Sequence, residues 1–306
     1  MDSEKRETFI PNKFKEYFSS ENESDKYVFS NSRNDFAIFP IEQWLHQLKL
    51  PIYPHRKSVS SILFLRSGTA KKSCGLDSYE MEKDSVFIVP QGYLNSTQNI
   101  SADASGFYCH FDFSIFPLIP VKKLKKNFSF LFTDEHPLMR LSPISSEFLS
   151  LIFNRLMIES SNNKKDLNFG LISSYLIAAF QEMKLFIPEK HSEEFSRYAQ
   201  ITSDFKELLY NEVRKTKSTS DFAEKLNITP NHLNKSIKTA TGQTAKELIH
   251  EALILEAKNL LYESDLPIGE IAFELGFSDQ AYFSRLFKQL TGTSPHDFRR
   301  MIEKSK

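Results

Sequence analysis

Cysteine is nearly missing from this chain: 306 residues hold only Cys74 and Cys109, and no metal-ligand spacing relates them. That excludes a disulfide-built scaffold and fits a reducing compartment. Both thiols read as small buried hydrophobes. Long apolar runs are also missing. No stretch of about 18 apolar residues occurs, so no membrane-spanning helix is expected. Met1 to Asn34 is polar and charged and lacks the apolar core of a secretory signal. A cytoplasmic protein is the resulting expectation. Net charge is the third absence, since 39 Lys+Arg face 39 Asp+Glu. A uniformly basic binder of nucleic acid is excluded, because phosphate contact needs positive charge.

What is present is an ordinary folding composition, 40% hydrophobic and 25% charged, with length for about two domains. The 28 Phe residues are spread over both halves and read as core filling. Residues 1–34 form a polar arm. From about 35 to 115, short apolar stretches such as Ser61–Arg66, Ser85–Val89 and Phe107–Phe113 alternate with turn signals at Ser67-Gly68, Lys83-Asp84 and Gln91-Gly92. Short strands at that spacing predict a small sandwich or barrel. From about 143 to 187 the period becomes helical, with stripes Phe148, Leu151, Ile152, Leu156 and Leu167, Leu171, Tyr175, Ile177, Ala178. The polar stretch Ser160–Asp166 links these two helices. Residues 188–197 read as an inter-domain linker, and 198–306 as helices with short turns. Lys122–Lys126 reads as a solvated loop. The fold class is α+β: a β-barrel with a helical pair, then an all-α domain.

Charge is segregated within the C-terminal part. Acids gather on the connecting helices (Glu247, Glu251, Glu256, Glu263, Glu270, Glu274). Thr229–Gly242 carries Lys235 and Lys238 and no acid, and Gln280–Gly292 carries Arg285 and Lys288 and no acid. These two segments belong to a repeat. Ala223, Leu226, Ile228 and Thr229 match Ala272, Leu275, Phe277 and Ser278. After one extra residue in the second copy, Leu233, Lys235, Ile237 and Lys238 match Phe283, Arg285, Phe287 and Lys288. Each copy has the parts of a helix-turn-helix. A small Ala lets the second helix cross the first, and Asn227 or Gly276 supplies a positive φ at the turn. Thr229 or Ser278 caps the second helix, Pro230 fits its first position, and Thr-Gly ends it. A helix over about Ala245 to Tyr262 joins the copies. Its length of roughly 27 Å suits two reading helices in successive major grooves.

Ile228–Lys235, Thr241-Gly242, Ile271–Ser278, Tyr282–Lys288, Thr291–Pro295 and Phe298-Arg299 together resemble the DNA-binding domain of AraC-type bacterial transcriptional regulators. The resemblance is close from about Phe205 to Arg300. Before that it rests only on the order of barrel and helical pair. It implies sequence-specific binding of double-stranded promoter DNA. Base edges would be met by Asn231, Asn234 and Lys235 in the first copy, and by Gln280, Ala281, Tyr282, Ser284 and Arg285 in the second. Arg285 is the best single reader, because its fork matches guanine O6 and N7. Thr229, Lys238, Ser278 and Lys288 would meet phosphate. Arg299 and Arg300 read equally as phosphate contacts or surface charge.

The resemblance further implies a cupin-like barrel that senses a small-molecule effector, contact with RNA polymerase during activation, and association with the bacterial nucleoid; the exposed-looking apolar stripes of the helical pair around Leu149 to Phe186 would dock on the barrel or, as the preferred expectation, on a second copy in a homodimer. His55, Arg56 and His110 are the candidate effector-pocket residues. A metal-binding cupin carries a His-x-His pair; here Pro54-His55-Arg56 has no second His at that spacing. No metal, no cofactor and no enzymatic step are therefore expected. Two alternatives stand beside the sensor reading. One is a scaffold whose barrel binds a protein partner; the other is a cupin-type enzyme.

Overall fold

The computed structural model describes residues 35–161, 167–187, 193–216 and 218–305. The polar arm 1–34, most of the link after Ser160 and the first half of the expected linker lie outside these. The chain divides into two compact units, one comprising 1–52, 56–74 and 78–187, the other 53–55, 75–77 and 188–306.

Among the described residues, nine strands build two sheets in the N-terminal half: β1 (Phe36–Pro40), β2 (Ile52–Arg56), β3 (Ser60–Ser67), β4 (Ala70–Cys74), β5 (Asp77–Met81), β6 (Ser85–Val89), β7 (Leu94–Ile100), β8 (Ser105–Phe111) and β9 (Leu138–Arg140). One sheet has the order β1-β8-β3-β6-β9 and the other β2-β7-β4-β5. Strands β1, β3, β6 and β9 of the first sheet pair antiparallel with their neighbours, with Phe36 opposite Phe111 and Ile62 opposite both Ile88 and Cys109. The register of β3 on β8 slips between Leu65 and Ser67. Gly106 lies there at φ 139°, and a Cβ would come within 2.0 Å of the Phe64 carbonyl oxygen. Only glycine fits that crossing.

The strand period of two divides the first sheet's side chains between two layers. Phe36, Ile38, Ile62, Phe64, Val86, Ile88, Phe107, Cys109 and Phe111 face a helical layer. That layer comprises α1 (Val121–Asn127), α2 (Pro143–Ser161) and α3 (Phe169–Lys184). Phe64 and Phe107 each meet Phe153 of α2 edge-on at 5.7 Å, and Phe111 lies 5.5 Å from Phe180 of α3. The alternate residues face the second sheet. Phe87 meets Tyr79 of β5 at 5.5 Å and the Lys72 ammonium of β4 at 5.7 Å. Cys74 and Cys109 are free and buried.

Three expectations change here. The barrel extends beyond residue 115, because β9 adds an edge to β6 after the polypeptide has passed through α1. Lys122–Lys126 is helical, not a loop, with Leu124 buried and the four lysines exposed. The stripe read on α2 divides, with Leu156 buried beside Leu149 and Phe153, whereas on α3 the buried residues Ile172, Leu176 and Ala179 sit one on from Leu171, Tyr175 and Ala178, with Phe180 and Met183 beside them. Both faces of α2 are apolar, so periodicity alone mixed them. Ile144, Phe148 and Leu151 stand 70%, 53% and 65% exposed.

The second unit is helical: α4 (Glu193–Glu212), α5 (Thr219–Lys225), α6 (Pro230–Thr241), α7 (Ala245–Glu263), α8 (Ile268–Glu274), α9 (Gln280–Thr291) and α10 (Pro295–Ser305). Helix α4 starts inside the stretch 188–197 that reads as linker. Among the described residues no helix is long and apolar enough to cross a membrane.

Candidate nucleic-acid interface

The two repeats fold as two helix-turn-helix units, α5–α6 and α8–α9. In each, a fully buried small residue lies where the helices cross: Ala223 at 0% exposure and Ala272 at 1%. The chain then turns through the left-handed region, at Asn227 (φ 55°) in the first unit and Gly276 (φ 68°) in the second. After the turn, the Ile228 N–H donates to Ala223 and the Phe277 N–H to Ala272, at 3.0 and 2.8 Å. The equivalent bond in both copies shows that the turns share one geometry. Each second helix stops on a left-handed glycine, Gly242 at φ 79° and Gly292 at φ 80°.

The inward faces differ in chemistry but not in position. Leu233 and Ile237 hold α6 down, and Phe283 and Phe287 hold α9, all fully buried. In the second copy an aromatic chain links Phe277 to Phe283 (5.2 Å), Phe283 to Phe287 (5.9 Å) and Phe287 to Phe298 of α10 (5.6 Å). In the first copy, α4 supplies the wall, with Phe205 edge-on to Phe222 at 5.3 Å.

Helix α7 joins the copies. A capping box starts it: the Thr244 hydroxyl accepts from the Glu247 N–H, and the Glu247 carboxylate accepts from the Thr244 N–H at 2.7 Å. Those bonds from Thr244 hold Glu247 below the usual carboxylate range. Deeper along α7, Glu256 is 2% exposed and accepts two bonds from the Arg214 guanidinium, at 2.9 and 3.2 Å. The acids on this connector thus serve its own fold, leaving α6 and α9 with basic outer faces.

The predicted reading residues do not all behave alike. Asn231 and Lys235 of α6 are exposed, and the Lys235 ammonium lies 5.7 Å from the Tyr198 ring of α4. Asn234 is half-buried, and its side-chain oxygen accepts from the Ala245 N–H at 3.2 Å. It ties α6 to the start of α7, so its expected base contact competes with a structural bond. In α9, Gln280, Tyr282 and Arg285 are exposed, while Ser284 is half-buried. Arg285 stands out at 72% side-chain exposure, with Asp279 at 3.9 Å. Lys238 and Lys288 are exposed one turn further along their helices.

The caps break the symmetry. Thr229 caps α6 as expected, accepting from the His232 N–H at 3.2 Å. Ser278 does not cap α9. Asp279 does, accepting from the Ala281 and Tyr282 N–H groups at 2.8 and 3.2 Å. The extra residue of the second copy lies between turn and helix, so the cap moves one position along. Ser278 remains exposed before it. Arg299 takes a role not foreseen: its guanidinium donates to the Leu266 carbonyl at 2.7 Å, fastening α10 to the loop before α8. Arg300 is exposed and pairs with Asp297 at 3.0 Å.

On the strands, His55, Arg56 and His110 are all buried, at 2%, 8% and 5% exposure. His110 alternates with Cys109 and Phe111 and so faces the second sheet, beside the Tyr108 ring at 6.2 Å. His55 Nδ1 lies 2.9 Å from the Tyr53 carbonyl. The Arg56 guanidinium donates to the Gly92 carbonyl. Lys57 and Lys72, which sequence reading passed over, are buried between the sheets at 6% and 7%. Strict alternation in β4, with Ala70, Lys72 and Cys74 on one face, was the available signal. Among the described residues, no three His, Cys, Asp or Glu side chains come together as a metal site.

Residues 222–301 match the family described as a helix-turn-helix domain. The chain is similar to the Msm operon regulatory protein of Streptococcus mutans, with 28% identity over 165 residues, 54% of this chain and 58% of that protein. It is also similar to the HTH-type transcriptional activator RhaS of Escherichia coli O139:H28, with 32% identity over 77 residues, 25% of this chain and 28% of that one. The chain thus spans less than two thirds of the length of either relative. Among solved structures, ToxT from Vibrio cholerae O395 aligns over 88% of this chain and 99% of its own at 16% identity, with a TM-score of 0.45.

Proposed function

We propose that the second unit is an AraC-type double helix-turn-helix DNA-binding domain, a reading supported by the helix-turn-helix family match and by the regulators the chain resembles, and that this protein is a bacterial transcription regulator binding promoter DNA through two successive major grooves. The observation that carries the reading is the duplicated geometry of α5–α6 and α8–α9. Both copies have the same turn, the same glycine stop and a basic face with no acid on the helix itself. Asn231 and Lys235 of α6, and Gln280, Tyr282 and Arg285 of α9, face base edges. Thr229, Lys238, Ser278 and Lys288 face phosphates. Asn234 is left out of the reading set because it bonds the start of α7.

RhaS, to which the chain is similar, is a transcriptional activator; that supports activation here, with contact to RNA polymerase as its means. The first unit modulates DNA binding by taking up a small-molecule effector between its sheets. The exposed stripe Ile144, Phe148 and Leu151 on α2 joins two copies, because a second copy presents the same apolar stripe. Paired copies bind paired half-sites more tightly through effective concentration. The protein works in the cytoplasm, on the nucleoid.

Mapping genomic binding sites for the wild type and Arg285→Ala tests the assignment. The variant loses discrimination at one base position, by about 1–3 kcal/mol. An unchanged site list and unchanged affinity overturn the placing of α9 on base edges.

A further inference from the structure

Helix α1 carries the densest positive run in the chain, four lysines in the five residues Lys122–Lys126, and no acid stands between Asp112 and Asp134. Leu124 and, just after the helix, Phe128 are buried at 1% and 2%, and Phe128 packs on Phe180 of α3 at 5.5 Å. At about 100° per residue, the lysines fan over an arc of about 160° centred opposite Leu124, and all four are exposed. Lys184 of α3, with its ammonium 6.0 Å from the Phe128 ring, adds a fifth exposed cation at that edge. Folding gives no reason for this cluster. Lys125 and Lys126 suit the negative end of the helix dipole, but Lys122 and Lys123 oppose its positive end. The pairs Lys122–Lys125, Lys122–Lys126 and Lys123–Lys126 stand three or four apart, where like charges repel. A cluster kept against the stability of its own helix points to an anionic occupant.

The same signature marks the helices placed on DNA. Thr229–Gly242 and Gln280–Gly292 are acid-free and carry two cations each, whereas α1 carries four. Its cations are all lysine, point charges on flexible stems that suit phosphate and lack the fork that reads guanine. Seven residues span about 10 Å, which faces about three phosphates of one strand. We propose that α1, with Lys184, is a second and sequence-independent DNA contact, gripping phosphates of the duplex that flanks the two grooves read by α6 and α9. The proposal deepens the DNA-binding reading above and rests on it for the share of the grip made by α6 and α9.

The test measures the affinity of the full chain for a random-sequence duplex of about 60 bp, from about 50 to 200 mM salt. The variant combines Lys122→Gln, Lys123→Gln, Lys125→Gln and Lys126→Gln. Loss of about three phosphate contacts lowers the slope of log affinity on log salt by about 2.7, so the wild type should lose about 40-fold more affinity than the variant over that range. Base preference at the mapped genomic sites should stay unchanged. The variant should melt no lower than wild type, since it removes repulsion from the helix, and Lys→Arg at the same four positions should keep wild-type binding. Lys122→Gln with Lys123→Gln alone repeats the test, with a smaller drop in slope, should the fourfold variant not fold. An unchanged slope in the Gln variant overturns the proposal, and leaves the DNA-binding reading standing where Lys238→Ala still weakens binding. Binding that is lost with the α1 lysines but indifferent to Lys238→Ala and Arg285→Ala supports the α1 contact and overturns the reading of α6 and α9. Leu118 and Val121 stand 88% and 47% exposed beside the lysines, which makes an anionic bilayer the rival occupant. Lysine-dependent sedimentation with phosphatidylglycerol vesicles, alongside unchanged DNA affinity in the Gln variant, decides for the bilayer and against the proposal.

Discussion

The stability of the first unit should rise as pH increases from about 7 to about 8.5. Lys57 and Lys72 titrate near 7 in the folded state against an ordinary 10.5. A lowered lysine value means that the unfolded chain binds more protons between the two values, so stability increases with pH across that window and is at its lowest below 7. Each lysine contributes at most about 1.4 kcal/mol per pH unit. Two of them over about 1.5 units, half-protonated at the start, give about 3 kcal/mol. The upper limit of the window is set by Cys109 and Tyr108, whose folded values burial raises. Above about pH 9 their unfolded forms release protons that the folded forms keep, and stability turns down again. Trp44 is the sole tryptophan and is 5% exposed in the first unit, so its fluorescence isolates this unfolding from that of the helical unit. Urea midpoints at pH 7.0, 7.75 and 8.5 give the slope. A flat or falling trend in the wild type refutes the reasoning, as does an equal slope in the Lys57→Met, Lys72→Met double variant.

Other perturbations bear on the second unit. Phe283→Ala removes a fully buried ring from the aromatic chain under α9, and should cost about 3–5 kcal/mol of stability by thermal or urea melting; a loss under about 1 kcal/mol would mean that α9 is not seated as described. Lys238→Ala should weaken DNA binding evenly across sequences and reduce the slope of log affinity on log salt by about one. Loss of discrimination at a single base position would contradict its placement on phosphate.

Most of the helical unit was legible because its signals are local. A left-handed turn at Asn227 or Gly276, a glycine stop and inward residues four apart are each imposed by backbone geometry within a few residues. The cap of α9 was misplaced for an equally local reason: alignment to the first copy put Ser278 opposite Thr229, whereas the inserted residue lets Asp279 reach two free N–H groups. Asn234 and Arg299 could not be read correctly, since the Ala245 N–H and the Leu266 carbonyl that hold them lie 11 and 33 residues away. The barrel was legible as strands but not as layers. The short apolar runs of β3, β6 and β8 are buried on both faces, so alternation in the sequence is weak. Only the finished fold separates Phe107 and Cys109, which face the helices, from Tyr108 and His110, which face the second sheet. The stripe read on α2 mixed two, since Leu156 lies on its buried face and Phe148 and Leu151 on its exposed one.

On the proposed function, the asymmetric caps would give the two helix-turn-helix units different tasks. A helix N-terminus attracts phosphate through its free N–H groups and the helix dipole. Thr229 is neutral and leaves that attraction in place at α6. Asp279 puts a carboxylate at the start of α9, where it consumes two N–H groups and opposes a phosphate. The same carboxylate lies 3.9 Å from the Arg285 guanidinium, a loose pair that limits where the fork can point. On that reading the first unit is the better anchor and the second the better discriminator. Asp279→Asn keeps a capping oxygen and removes the charge, so helix stability should change by under about 1 kcal/mol. Affinity for random-sequence DNA should rise, and the preference at the base met by Arg285 should fall. Competition binding against a pool varied at single positions measures both. A variant with unchanged non-specific affinity and a sharper preference at that base would show that Asp279 neither repels the backbone nor holds Arg285 in place.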